Sequence, residues 1–247
     1  MHKSLILTLL TVCIGCSSVS SKEVIKLDSV SITDISPNII ETKLEETPFD
    51  IWERIRLELT ISIPDDQIAA TSLYRERLYK NQSAVNRISK SGQRYLYHTL
   101  TRAQEMGLPV ELALLPFVES EFDPYAKSVD GATGIWQFMP ATGKEWGLKS
   151  NWWYDGKKDV LASTEAALNF LSYLNKKFDG DWLLAMAAYN TGPTRVNRAI
   201  KKNKRLGKSV RFWDLDLPKE TTAYVPKLLV LCELCLLYTS DAADEVQ

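Results

Sequence analysis

Glu119 closes an apolar run, Leu112-Ala113-Leu114-Leu115-Pro116-Phe117-Val118, and a glycine-punctuated loop follows it. Residues 108–143 read LPVELALLPFVESEFDPYAKSVDGATGIWQFMPATG. A carboxyl in such surroundings is partly withdrawn from water, which disfavours its charged form and raises its pKa. A glutamic acid kept protonated near neutral pH is equipped to donate a proton. Glu121, Asp123 and Asp130 are the candidates for a second carboxylate, and each also reads as a solvent-facing loop or cap residue. Gly131 and Gly134 allow a backbone to approach a ligand closely or to adopt positive φ, and the two roles are compatible. Gln137 carries a carboxamide that can hydrogen-bond a hydroxyl or acetamido group.

The elements that must position these groups are helical. Ile51, Ile55 and Leu59 fall on one face, with Trp52 beside them. Pro64-Asp65-Asp66 restarts the chain, and the spacing predicts a helix over 68–79 and another over 85–106, closed by Gly107. Pro109 suits the first turn of a helix running to about Val118. After the glycine loop, Pro140 opens a short helix that Gly147 ends. Ala167, Phe170, Leu171, Leu174 and Phe178 mark an amphipathic helix. Asp181 caps a further helix that stops at Asn190-Thr191-Gly192, and Pro193 restarts the chain with Val196, Ala199 and Ile200 as its apolar stripe. Pro218 opens the last helix, in which Pro226 is expected to make a kink. Strand signals are sparse, so the fold class is mainly α, with helices packed around a cleft.

Composition narrows the function. The 247 residues carry a formal net charge of −1, which gives no global attraction to nucleic acid. Two histidines, His2 and His98, lack any cysteine cluster beside them, so no zinc-type spacing exists. Seven Trp and ten Tyr are many for this length; aromatics suit sugar faces in a cleft as well as core packing. A basic stretch, Arg195, Arg198, Lys201, Lys202, Lys204, Arg205, Lys208 and Arg211, reads as a solvated helix face.

Both ends of the chain carry signals of their own. Lys3, an apolar stretch at 5–12 and Ile14-Gly15-Cys16 have the layout of a secretory signal, too short to span a bilayer. Gly15-Cys16 resembles the bacterial lipoprotein cleavage site, which makes residues 1–15 a signal peptide and Cys16 an acylated N-terminus. Cys13 stands where that pattern usually has Leu. Ser17 after the anchor points to the outer membrane of a Gram-negative cell, facing the periplasm. Residues 16–48 are polar and aperiodic and read as a tether. Cys232 and Cys235 lie too close along one helix to suggest a stabilising disulfide. Residues 235–245, CLLYTSDAADE, match the in-frame translation of a transposon adapter, so 235–247 are read as an assembly scar.

Three ordered motifs carry a family resemblance: Glu119-Ser120, then GATGIWQFMP at 131–140, then AYNTG at 188–192. Together they resemble the soluble-lytic-transglycosylase-type domains, and the similarity runs over about residues 49–234. The resemblance implies a goose-lysozyme-like helical fold, with an N-terminal helical region at 49–107 and a catalytic domain at 108–234. It implies cleavage of the β-1,4 bond between N-acetylmuramic acid and N-acetylglucosamine in peptidoglycan, leaving a 1,6-anhydro end without the use of water. Neither metal nor cofactor is implied. Ordinary glycosidases set two carboxylates across the bond. Here the substrate's own 6-hydroxyl and acetamido group would stand in for water and the second carboxylate. Glu119 would act as general acid and then as base. By the same resemblance Ser128, Gln137, Met139, Tyr189, Asn190 and Tyr224 line the glycan site. Tyr189 would bond either the acid or the acetamido group, Asn190 either the sugar or only its helix end, and core is the other reading of Met139 and Tyr224. The implied partners are peptidoglycan strands and, through Cys16, a membrane. A hydrolytic muramidase of the same fold and an inactive peptidoglycan-binding protein are the alternatives.

Overall fold

The computed structural model describes residues 51–80, 90, 92 and 94–237, with side chains to Cys235. All of these belong to the unit formed by residues 46–247. Regular structure among the described residues is helical, and β pairing is confined to the isolated bridges Lys127↔Thr133, Thr133↔Phe138 and Ser150↔Asp155. The expectations for Cys16, for the signal and tether at 1–48, for residues 85–89 of the helix expected over 85–106, and for residues 238–247 of the tail read as 235–247 lie outside the described residues.

Helix α1, Ile51–Glu58, buries Ile55 completely. The helix expected over 68–79 begins instead as tight 3-10 turns at Asp65–Gln67 and Ala69–Thr71, and becomes α-helical only in α2, Ser72–Tyr79. The Thr71 hydroxyl donates to the Ile68 carbonyl at 2.8 Å, a local bond that competes with the α-helical ladder. Helix α3, Leu96–Glu105, buries Leu96, Thr99, Leu100 and Ala103 at helical spacing.

The helix expected from Pro109 to about Val118 is two elements. Residues Val110–Leu114 form a 3-10 helix, and α4 spans Leu115–Ser120 with Pro116 in its first turn. Pro116 has no N–H and its ring would collide with the Leu112 carbonyl, so one α-helix cannot pass through it. The break lets all of residues 110–117 be buried, including Glu111. Glu111 Oε1 accepts the amide of Thr60, and that of Ile61 at 2.5 Å, pinning the segment after α1 to the core. Its other oxygen is buried with no hydrogen-bond partner among the described residues.

The remaining helices follow their sequence signals. Helix α5 is Pro140–Glu145. Helix α6, Val160–Lys177, is capped by Asp159, whose carboxylate accepts the Ala162 amide at 3.0 Å. Helix α7, Trp182–Thr191, is capped by Asp181 in the same way through Leu184. It is buried all round between Leu184 and Ala188, as a helix gripped from several sides must be. It packs against α6, against α8 (Pro193–Arg205) and against α9 (Lys219–Leu237), which contains Pro226. Helix α9 also crosses α1, α2 and α4, so the N-terminal helices and the later ones share one hydrophobic core. Cys232 and Cys235 are free and buried in that core, and burial pushes the Cys235 thiol up to about 12. The Cys235 carbonyl accepts a bond from Arg56 at 3.5 Å.

Candidate active site

Glu119 is the penultimate residue of α4. The helix stops one residue later because Glu121 and Phe122 take left-handed conformations, with φ of 52° and 60°. Such a conformation costs an L-residue about 1–2 kcal/mol. Burial of Phe122 offsets it: the ring is 2% exposed and meets Phe117 edge-on at 4.6 Å. The reversal turns the chain directly into the glycine loop. Ser120 ties the two together, its hydroxyl donating to the Ile135 carbonyl at 2.9 Å.

The loop is held by its own backbone and by one tryptophan. Gly134 N–H donates to Ala126 O at 3.0 Å, and Thr133 and Phe138 exchange two bonds of 3.1 Å. Trp136 is fully buried and its indole N–H donates to Thr164 of α6 at 3.0 Å. Gly134 has φ +85°, and a Cβ there would lie 1.8 Å from the Lys157 carbonyl oxygen. Its role is therefore close packing of the loop on the 150s segment. Gly131, at φ +90°, has open space where a Cβ would stand and serves the turn. Gln137 is half-buried with φ 47°. Its amide nitrogen donates to Gly134 O at 2.9 Å and Ala126 O at 3.4 Å, which leaves its carbonyl oxygen as the acceptor to offer a ligand.

Residues of α7 and α9 converge on Glu119. The Tyr224 hydroxyl, from α9, donates to Glu119 Oε1 at 2.6 Å, within the range of O–H···O bonds. The Tyr189 hydroxyl, at the end of α7, donates to the Trp136 carbonyl at 2.8 Å. The sequence left Tyr189 as a partner of either the acid or an acetamido group and Tyr224 as either core or cleft; in the structure Tyr224 is both buried and the partner of the acid, and the Tyr189 hydroxyl braces the loop. Asn190 accepts from Thr221 at 2.8 Å and donates to Glu220 at 3.4 Å, tying α7 to the first turn of α9. Burial is the main cause that lifts the Glu119 carboxyl, from an ordinary 4.5 to about 7. The Tyr224 bond opposes this rise and the negative charge of Glu220 adds to it. Both tyrosine hydroxyls are pushed well above their ordinary value, again first by burial and then by the charge of Glu119.

Two expected lining residues are less engaged. Ser128 is exposed and its hydroxyl accepts the Ala132 amide at 3.0 Å, a bond within the loop. Met139 is 42% exposed at the start of α5. Among the candidate second carboxylates, Asp123 accepts the Tyr125 amide at 2.8 Å as a turn residue, Glu121 is the exposed left-handed cap, and Asp130 is exposed. The carboxylate that acts on Glu119 is Glu220, which sequence reasoning missed. Its position in the first turn after Pro218 looked like ordinary helix-start acidity. No spacing rule links it to Glu119 across about a hundred residues. A half-buried acid with a pKa near neutrality, beside two tyrosines, can donate a proton and later accept one.

Residues 96–212 match the family model of the Transglycosylase SLT domain. The chain is 46% identical over 185 residues to membrane-bound lytic murein transglycosylase D of Escherichia coli (strain K12), covering 75% of this chain and 40% of that protein. It is 49% identical over 118 residues to a putative tributyltin chloride resistance protein of Alteromonas sp. (strain M-1), covering 47% of this chain and 57% of that one. A lytic transglycosylase Slt structure from Pseudomonas aeruginosa, an inactive mutant, aligns with a TM-score of 0.45 at 27% identity, over 56% of this chain and 23% of that one. Residues 96–212 thus match the SLT domain family, and regular structure among the described residues is mainly helical. The chain spans less than half the length of the Escherichia coli relative.

Proposed function

We propose that the protein is a peptidoglycan lytic transglycosylase, cleaving the β-1,4 bond between N-acetylmuramic acid and N-acetylglucosamine with Glu119 as the single catalytic carboxyl. The match of residues 96–212 to the SLT domain model and the similarity to a named murein transglycosylase support the reaction class. The observation that carries the assignment of Glu119 is its carboxyl, raised to about 7 by burial at the end of α4 and bonded to Tyr224.

A pKa near neutrality suits both halves of the reaction. The protonated acid gives its proton to the glycosidic oxygen as the bond to the muramic C1 breaks. The acetamido group of the muramic residue steadies the charge that develops at C1. The resulting carboxylate then takes the proton of the 6-hydroxyl as its oxygen closes on C1, which yields the 1,6-anhydro end and regenerates the acid. Tyr224 holds the carboxylate in one orientation, and its bond favours the charged state that forms in the first step. The Gln137 carbonyl oxygen accepts from a sugar hydroxyl or acetamido N–H. Tyr189 and Asn190 brace the cleft wall on the side of α7, and Ser128 and Met139 border it from the loop. Cys16 acylation would anchor the enzyme to the periplasmic face of the outer membrane, with residues 16–48 as the tether.

Incubation with purified peptidoglycan and mass analysis of the products tests the reading. Anhydro-ended muropeptides, one water lighter than reducing-end products, are expected; reducing ends would assign the protein to the hydrolytic muramidases, and no release at all to the inactive binders.

A further inference from the structure

The segment between α5 and α6 presents an aromatic surface that the reaction at Glu119 does not use. Trp152 is 87% and Trp153 69% exposed, with the two rings edge to face at 4.5 Å. The loop that carries them is fixed rather than loose. The Asn151 carboxamide accepts the amides of Trp153 at 3.1 Å and Tyr154 at 2.8 Å, and the Asn151 amide donates to Tyr154 O at 2.7 Å. Asp155 closes the base by accepting from Ser150 at 2.9 Å and Lys157 at 2.6 Å. Two large rings held rigidly in water retain the full gain of burial for a ligand and lose little freedom on binding it.

We infer that Trp152 and Trp153 form a distal subsite on which a peptidoglycan glycan strand stacks beyond the Glu119 site. The inference rests on the glycan reading of that site. Continuity selects the occupant. The Lys157 carbonyl at the foot of the loop packs against Gly134, whose own carbonyl holds Gln137. An open cavity of about 620 Å³ starts at Pro140, the residue after Met139, and runs past Lys144, Leu148 and Lys149 to Ser150, at the base of the tryptophan loop. A polymer leaving the first site past Met139 would enter this groove at Pro140. The chemistry agrees: the C–H faces of sugars stack on indole rings, and the exposed Lys144 and Lys149 oppose the carboxylates that peptidoglycan carries on its peptides.

The test is calorimetric titration of the Glu119→Gln protein with a trimer and a hexamer of β-1,4-linked N-acetylglucosamine. Adding Trp152→Ala and Trp153→Ala together is expected to weaken hexamer binding at least about tenfold, equivalent to 1.4 kcal/mol. Trimer binding and Tm stay unchanged, and Trp→Phe at both positions restores most of the affinity. An unchanged hexamer affinity overturns the inference, as does equal loss for both oligomers. So does an effect confined to binding of phosphatidylglycerol vesicles, which would make the loop a membrane contact. Failure of the parent to bind either oligomer overturns the glycan reading of the Glu119 site itself, and the subsite with it.

Discussion

Tyr224 and Glu220 pull on the Glu119 proton in opposite directions, and burial outweighs both. Removing the hydroxyl that stabilises the carboxylate, as in Tyr224→Phe, should raise the Glu119 pKa further. Removing the negative charge, as in Glu220→Gln, should lower it. A pH–rate profile reads both: the limb controlled by Glu119 protonation moves to higher pH in the first variant and to lower pH in the second. Stability carries a linked signature. The folded protein holds the Glu119 proton up to about 7, whereas the unfolded chain releases it near 4.5. The native state therefore binds more protons across that window, and this group's contribution to stability falls as pH rises through it. Glu119→Gln keeps the uncharged state at every pH. Its Tm should match the parent at pH 4 and exceed it at pH 8; equal Tm differences at both values would contradict the buried-acid description.

Much of the element architecture was legible in the sequence because local chemistry dictated it. Asp159 and Asp181 cap α6 and α7 through backbone amides, and Pro140 and Pro193 open α5 and α8. Readings failed where a local rule met a stronger one. The apolar run before Glu119 looked like one helix until Pro116 divided it. Gln137 and Phe122 adopt positive φ without being glycine, held there by bonds and burial that periodicity does not report. Glu119 was legible from its apolar run, but the pairing of Glu119 with Tyr224 and the influence of Glu220 arise from α9 packing back across the molecule. Gly134 offers the sharpest test at this scale. In Gly134→Ala the left-handed backbone costs about 1–3 kcal/mol, and the Cβ collision with Lys157 O adds to it. Loss of Tm and of activity together is expected, whereas Gly131→Ala, with open space at its Cβ, should show only the backbone strain.

Across residues 51–235, the helix that carries Glu119 and the N-terminal helices share one core. Ile55 of α1 is fully buried with α9 residues, and Arg75 of α2 pairs with Glu233 of α9 at 2.6 Å. Glu111 joins the extended segment after α1 to the run that leads to Glu119. Glu111→Ala bares two backbone amides, each at a cost of about 1–3 kcal/mol. Thermal unfolding should remain a single transition shifted to lower temperature, and two separated transitions would show independent units. In the proposed reaction one carboxyl, Glu119, performs both proton transfers of the cleavage. The mass of the products that Glu119→Gln and parent proteins release from peptidoglycan tests this. Anhydro-ended muropeptides are expected from the parent and none from a folded Glu119→Gln variant. Equal release by the variant, or water-bearing reducing ends from the parent, would contradict it.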